Sequence, residues 1–417
     1  MLLSSIPVQS FIQLRPDPAK TDPVQSKGGG TVDLAAYSVD RVPGTTKMSF
    51  TELSQGTGGV YGSMILDGIF EVYLESVIGK EHWHLVRSNV AVWTRVLDQW
   101  NLVKTSFSGD MSMDAVEIEL PRAAFTALGA TRSDSVRGAL RKHNGANIRD
   151  IRGDGEDSDD DDDEEEEEEV EHLLLTSVII KKLFDQVVDG IIKLTMDVIA
   201  DCAAKGADKA ITKVLCVGGF SDNQYLVKRV RAAVQVAYPG IHVLVPALPS
   251  QAVLIGAVLY GVDPGTFKSR ILRHTYGFGT LFQARDPHWN GVDTSALPKY
   301  EKPGMFGFAT VYHKGFESMA KINDSVEADE TKSTVVLPFS PEQEQVAVEI
   351  YMSSDREPKL ITGTGCRHLG TISLPVDRSK GTDQQFEVQF KFGMTEIKTQ
   401  FKNVATGEVQ DVSLKYL

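Results

Sequence analysis

The sequence predicts an α/β region followed by a separate antiparallel β domain, and three patterns carry that expectation. Between residues 170 and 265, short apolar runs alternate with stretches of helical periodicity, as in a parallel sheet with crossover helices. From residue 320 onward the spacing changes to apolar–polar alternation, interrupted at Gly393 and at Thr406-Gly407. Ahead of both, glycine-rich turns at 28–30 and 56–62 adjoin strand-like segments. The 417 residues are enough for two or three domains. With 41% hydrophobic, 24% charged and 8% aromatic residues, a wholly disordered, collagen-like or coiled-coil chain is excluded.

Residues 1–27 are rich in Pro, Ser, Gln and Asp and read as an irregular N-terminus. The glycine turn 28–30 runs into a strand, and Met48 to Leu53 gives a second one. From Met64 to Ile78 apolar residues recur at helical spacing (Ile65, Ile69, Phe70, Val72, Tyr73, Val77). Trp93, Val96, Leu97, Trp100 and Val103 form a second helical stripe, for which core packing is the simplest use. Residues 111–151 read as strands with a variable loop.

An acid run follows. Fourteen of the 57 acids lie between Asp154 and Glu169, and without them 43 acids face 43 bases. The net charge of −14 therefore belongs to one segment, and the remainder has no basic bias toward nucleic acid or anionic membrane. Like charges at this density repel and bury nothing, so 152–170 is expected as a disordered insertion whose partner the sequence does not name.

A long helix is expected from Val170 to Lys205. Lys213 to Val217 is a buried parallel strand stopping at Gly218-Gly219, followed by a helix over Leu226–Val236 and a buried strand over Ile241–Val245. Ala252 to Tyr260 reads as a helix whose Gly256 suggests close approach of a neighbour. Residues 266–319 have weak periodicity and read as a connector before the β domain, 320–417. Cys202, Cys216 and Cys366 are far apart and odd in number, so neither a disulfide framework nor a zinc cluster is expected, and a reducing, cytoplasmic setting fits. No apolar run reaches the ~20 residues of a membrane span, and the N-terminus lacks the basic start and apolar core of a signal peptide. His82 and His84, at i and i+2, do not share a helix face, so no metal site is expected there.

Chemistry is most plausible at the glycines. Backbone amides of Gly28, Gly29 and Gly30 form a nest suited to an anion, with the Thr31 hydroxyl beside it. Asp33, two residues on, is a carboxylate able to orient water or magnesium. Gly218 and Gly219, between a buried strand and a helix, suit a flat ligand on bare backbone. Each turn by itself is more often only a turn.

Four segments taken in order narrow the choice. Gly28-Gly29-Gly30-Thr31-Val32-Asp33-Leu34, then Gly56 to Ser63, then Val214 to Ser221, then Ala252 to Pro264 together resemble the second half of a heat-shock-70-type ATPase domain. The likeness is to its atypical heat shock 70 kDa protein 12 branch and covers about residues 24–280. The tail looks like that branch's β-sandwich, in the position of its substrate-binding domain. The resemblance implies an actin-like (ribonuclease-H-like) nucleotide fold over 28–265, binding ATP or ADP with Mg2+. It implies that Gly28, Gly29, Gly30 and Thr31 form the second phosphate loop, with Asp33 its acid and the candidate catalytic residue. Gly62 and Ser63 match the next phosphate-side turn, Lys104 a lysine near the adenosine, Gly218 and Gly219 the adenosine loop, and Gly256 the glycine of the last helix.

This sequence departs from the family at Ser26, Asn101, Phe220, Asp222 and Ser250, and the family's first phosphate hairpin, catalytic lysine strand and first connecting helix are not found before residue 28. The fold is therefore expected to be N-terminally incomplete, and its status as an enzyme is open. Phosphoryl transfer needs positioned cations and a water-orienting acid together. The expectation is a heat-shock-70-like, nucleotide-binding, chaperone-like protein with protein or peptide clients and without efficient hydrolysis. The alternative is a non-catalytic interaction module acting through its β domain.

Overall fold

The computed structural model describes residues 9–15, 29–45, 47–110, 115–152, 172–206, 210–304, 307–392 and 396–415. The acid run and Gly28 lie outside the described residues. In chain order the first elements are β1 (Gln9–Arg15), β2 (Val32–Arg41), β3 (Met48–Glu52), β4 (Thr57–Gly59), α1 (Ser63–Ile78), α2 (Lys80–Ser88), α3 (Val90–Ser106), β5 (Ala115–Glu119), α4 (Arg122–Leu128) and α5 (Ala130–Arg152). They are followed by β6 (His172–Thr176), α6 (Ser177–Ala204), β7 (Lys213–Cys216), α7 (Gln224–Ala237), β8 (His242–Leu244), α8 (Pro249–Val262), β9 (Phe267–Ile271) and β10 (Thr275–Gln283). Apart from short 3-10 turns, the remaining described elements are strands: β11 (Lys299–Gly304), β12 (Gly307–Ala320), β13 (Ser325–Glu327), β14 (Glu330–Val336), β15 (Gln345–Ser353), β16 (Cys366–Pro375), β17 (Phe386–Phe392), β18 (Glu396–Asn403) and β19 (Val409–Lys415).

The chain divides into two compact units, and the division runs through β2. One holds Phe11–Leu34 and Thr57–Val258. Within it β1, β7 and β8 run parallel, with Ile12 opposite Val214 and Val214 opposite Val243. An aromatic core ties its helices together: Phe70 of α1 stacks on Trp100 of α3 at 4.5 Å, and Phe184 of α6 meets Trp100, Phe107 and Tyr225. Each of these rings contributes more than an aliphatic neighbour, since aromatics carry the largest apolar area per residue.

The other unit holds Ala35–Gly56 and Leu259–Leu417. There β3 pairs antiparallel with the end of β2 and parallel with β9, and β13 adds antiparallel to β9. A five-stranded sheet, β11-β12-β10-β15-β16, and a four-stranded sheet, β14-β17-β18-β19, share one core. Phe386, Val388, Phe390 and Phe392 of β17 enter that core together with Ile350 of β15 and Ile372 of β16. Alternation in β17 makes this possible, because successive side chains point to opposite faces.

Several expectations are corrected. Residues 9–15, read as irregular, form β1, whose strand state comes from its ladder with β7 rather than from local pattern. Of the stretch 111–151, the described residues from 115 on hold one strand and then two helices. Gly129, at φ 76°, separates these helices, and α5 buries Ser133, Val136, Leu140 and Asn144 on one stripe. The helix expected from Val170 begins only at Ser177, because 172–176 pair with β5 and Thr176 caps α6 by accepting a hydrogen bond from the Ile179 amide at 3.3 Å. Residues 266–319, read as a connector, contain β9 to β12. In α1 the buried face is Leu66, Phe70, Leu74 and Ile78, while Ile65, Ile69 and Tyr73 line an open groove with Leu183. Of β8, only Val243 is buried. Among the described residues no helix is long and apolar enough to cross a membrane.

Candidate functional site

The sequence-predicted glycines fall into two turns within one unit. At the first, the chain leaving Gly29 and Gly30 into β2 lies against the start of α1. The Gly62 amide donates to Gly30 O at 3.2 Å and the Met64 amide to Gly29 O at 3.1 Å. A Cβ on Gly62 would fall 1.7 Å from Gly29 O, so no other residue fits that crossing. Ser63 opens α1, and a Cβ on Gly29 would stand 2.9 Å from its Oγ. Gly30, in contrast, has nothing among the described residues within 4 Å of the direction a side chain would take. Thr31 leads into β2, where Asp33 sits opposite Gly58 of β4. A Cβ on Gly58 would be 2.6 Å from Asp33 Oδ1, so the glycine makes room for the carboxylate.

Tyr61 holds this turn from behind. Its ring lies over Gly190 of α6, where a Cβ would be 2.2 Å from Cε1, and over Gly59. Neither Tyr61 nor Gly190 is marked by any local sequence pattern, because their relation exists only once α6 packs beside the turn.

The second turn follows β7. Gly218 adopts φ 93°, ψ 163°, a region essentially closed to side chains, and its amide donates to Pro249 O at 2.7 Å, fixing the turn to the start of α8. Gly219 begins a short 3-10 turn to Asp222 and, like Gly30, faces open space. The Ser221 hydroxyl donates inward to Val217 O at 3.0 Å and belongs to the turn itself. Burial pushes the Cys216 thiol up to about 12, so it stays protonated and inert beside the turn.

A polar chain joins the two turns. Asp67, four residues or about 6 Å along α1 from Ser63, pairs with the Lys104 ammonium at the end of α3. Lys104, whose side chain is only 11% exposed, thus spends its charge on Asp67. Its carbonyl accepts from Asn223 Nδ2 at 2.7 Å, and Phe107 O accepts from the same amide at 3.1 Å. Asn223 Oδ1 accepts from the Leu226 amide at 2.8 Å, capping α7 directly after the 3-10 turn. Asn223 is 3% exposed and fully employed. An Asn just ahead of a helix is a readable cap; its second bond, across to α3, is not. Gly256 stays outside this assembly, about 10 Å along α8 from Pro249, exposed and with nothing within 4 Å, so the expected close approach is not made by any of the described residues.

This geometry offers two patches of bare backbone, at Gly30 and Gly219, braced by α1, α3 and α7. No protein-family model matches the chain. It is 26% identical to human heat shock 70 kDa protein 12A over 402 residues, which is 94% of this chain and 54% of that protein. Mouse heat shock 70 kDa protein 12A matches at the same identity and coverage, and human heat shock 70 kDa protein 12B at 26% over 403 residues, 94% of this chain and 53% of its own. Over nearly its whole length the chain is thus similar to heat shock 70 kDa protein 12 relatives. It spans about half the length of the curated relatives it matches. Similarity to these relatives implies an actin-like ATPase fold, and the mixed α/β sheets accord with it.

Proposed function

We propose that the chain binds an adenine nucleotide, ATP or ADP, across the Gly29–Thr31 and Gly218–Gly219 turns, as a chaperone-like protein. The observation that carries the reading is that Asp67, Lys104 and Asn223 link α1, which leaves the first turn, to the second turn, while Gly30 and Gly219 face open space among the described residues. Bare backbone lets phosphate oxygens and a flat base approach more closely than any side chain would. In this reading Gly29, Gly30, Thr31 and Ser63 take the phosphates, while Gly218 and Gly219 take the nucleoside. Among the described residues no three acids, histidines or cysteines gather into an ion cage. Mg2+ would therefore arrive on the phosphates, where it neutralises their charge, with Asp33 orienting its water. Steady hydrolysis is not expected from a site with a single assigned acid. Peptide clients are assigned to the two-sheet region, read as a β-sandwich, where β11 and β14 are edge strands able to accept an added strand.

The test is calorimetric titration of the full chain with ATP. Saturable binding, weakened tenfold or more (about 1.4 kcal/mol) by Gly30→Val with an unchanged circular dichroism spectrum, supports the site. Absence of saturable binding up to millimolar ATP refutes it and leaves the interaction module.

A further inference from the structure

A cavity of 620 Å3 lies within the unit that holds the antiparallel sheets, lined by Thr51, Ser269, Ser325, Glu327, Asp329 and Glu330. Its volume falls in the range of small-molecule sites, roughly 300–1,000 Å3. Strand register explains its polar wall. Thr51 of β3 stands opposite Ser269 of β9, which stands opposite Glu327 of β13. Opposed residues on neighbouring strands share a face, and Ser325, two before Glu327, shares it too. Three hydroxyls and a carboxylate therefore project together.

Two features of this row point to a ligand. Ser269 is 6% exposed, yet its Oγ has no hydrogen-bond partner among the described residues, an unfavourable state for a buried hydroxyl. Charge singles out one group. Asp329 is paired with Lys391 at 3.3 Å and Glu330 with Lys332 at 3.6 Å, whereas Glu327 has no ion-pair partner among the described residues. Lys268 also contributes to the wall, at the point where the β3–β9 register shifts.

We propose that this cavity binds an organic ammonium cation. The Glu327 carboxylate meets the charge and accepts one N–H, and hydroxyls from the row of Thr51, Ser269 and Ser325 accept the other two. An ammonium has three donors and no acceptor, which matches a row of acceptors bearing one carboxylate. A free polyamine and a lysine side chain of a bound polypeptide share this chemistry.

Calorimetric titration of the full chain with 1,5-diaminopentane, and separately with Nα-acetyl-lysine methylamide, tests it, with 1-pentanol as the uncharged control. Saturable binding of either amine is expected, with no binding of pentanol, and the tighter arm identifies the source. Glu327→Gln, at an exposed position that leaves packing intact, is expected to weaken binding tenfold or more, and Ser269→Ala severalfold. If neither amine saturates at millimolar concentration, or if Glu327→Gln binds as the unaltered chain does, the proposal is wrong. Equal binding of pentanol would also overturn it, since charge would then play no part.

Discussion

At the Gly29–Ser63 turn backbone meets backbone, and at the Gly218–Asn223 turn it meets open space and a helix cap. Both are pairs of small residues beside a strand, and in sequence they look alike. Their glycines do different things. Gly62 is required because its neighbour's carbonyl occupies the volume of a Cβ, and Gly218 because its backbone angles exclude one. Gly30 and Gly219 are required by neither reason among the described residues, and in the proposed function their bareness is what a nucleotide would use. Glycines that protect the fold and glycines that serve a site are thus separable by substitution.

The largest effect is expected from Gly62→Ala. A Cβ 1.7 Å from Gly29 O forces the two segments apart, and the loss should exceed ~3 kcal/mol, beyond ordinary overpacking. Thermal or urea unfolding would check this, and a wild-type midpoint would mean the crossing is looser than described. Next comes Gly218→Ala, with a loss of about 1–3 kcal/mol from backbone strain, read as a lower unfolding midpoint.

Gly30→Ala and Gly219→Ala are expected to leave the midpoint unchanged, within ~0.5 kcal/mol, while weakening nucleotide binding severalfold. Unfolding curves and ATP titrations on the same samples separate the two outcomes; lost stability with intact binding would reverse the comparison. The smallest effect belongs to Gly256→Ala. With nothing within 4 Å, it should stabilise α8 by about 0.5–1 kcal/mol and leave ATP titration unaltered. Weaker binding would return Gly256 to the site.

The helices α7 and α8 show why some of this was legible and some not. Each has 14 residues. In α7 the spacing of Tyr225, Leu226, Val227, Val230 and Val234 announces a buried stripe, and those residues are buried. In α8 apolar residues surround the axis, so no face is singled out, and Leu254 and Val258 are 68% and 61% exposed. Periodicity locates a helix against a core; apolar content alone does not.

The glycine turns, the Trp93–Val103 stripe, the strand at 213–216 and the alternating strands of 386–401 were readable because each depends on local conformation or on residues a few positions apart. The membership of β1 and β6 in their ladders was not, since a strand that lacks a strong pattern is decided by the edge it pairs with. Nor was the division of the chain through β2, which depends on contacts between segments more than 200 residues apart, such as Glu52 accepting from the Ile271 amide at 2.7 Å. The sequence by itself determined which residues were bare, apolar or alternating. Tertiary structure alone decided that Gly62 crosses Gly29, that Tyr61 lies on Gly190, and that Asp67, Lys104 and Asn223 join two turns, because close approach and hydrogen bonding are properties of space rather than of chain order.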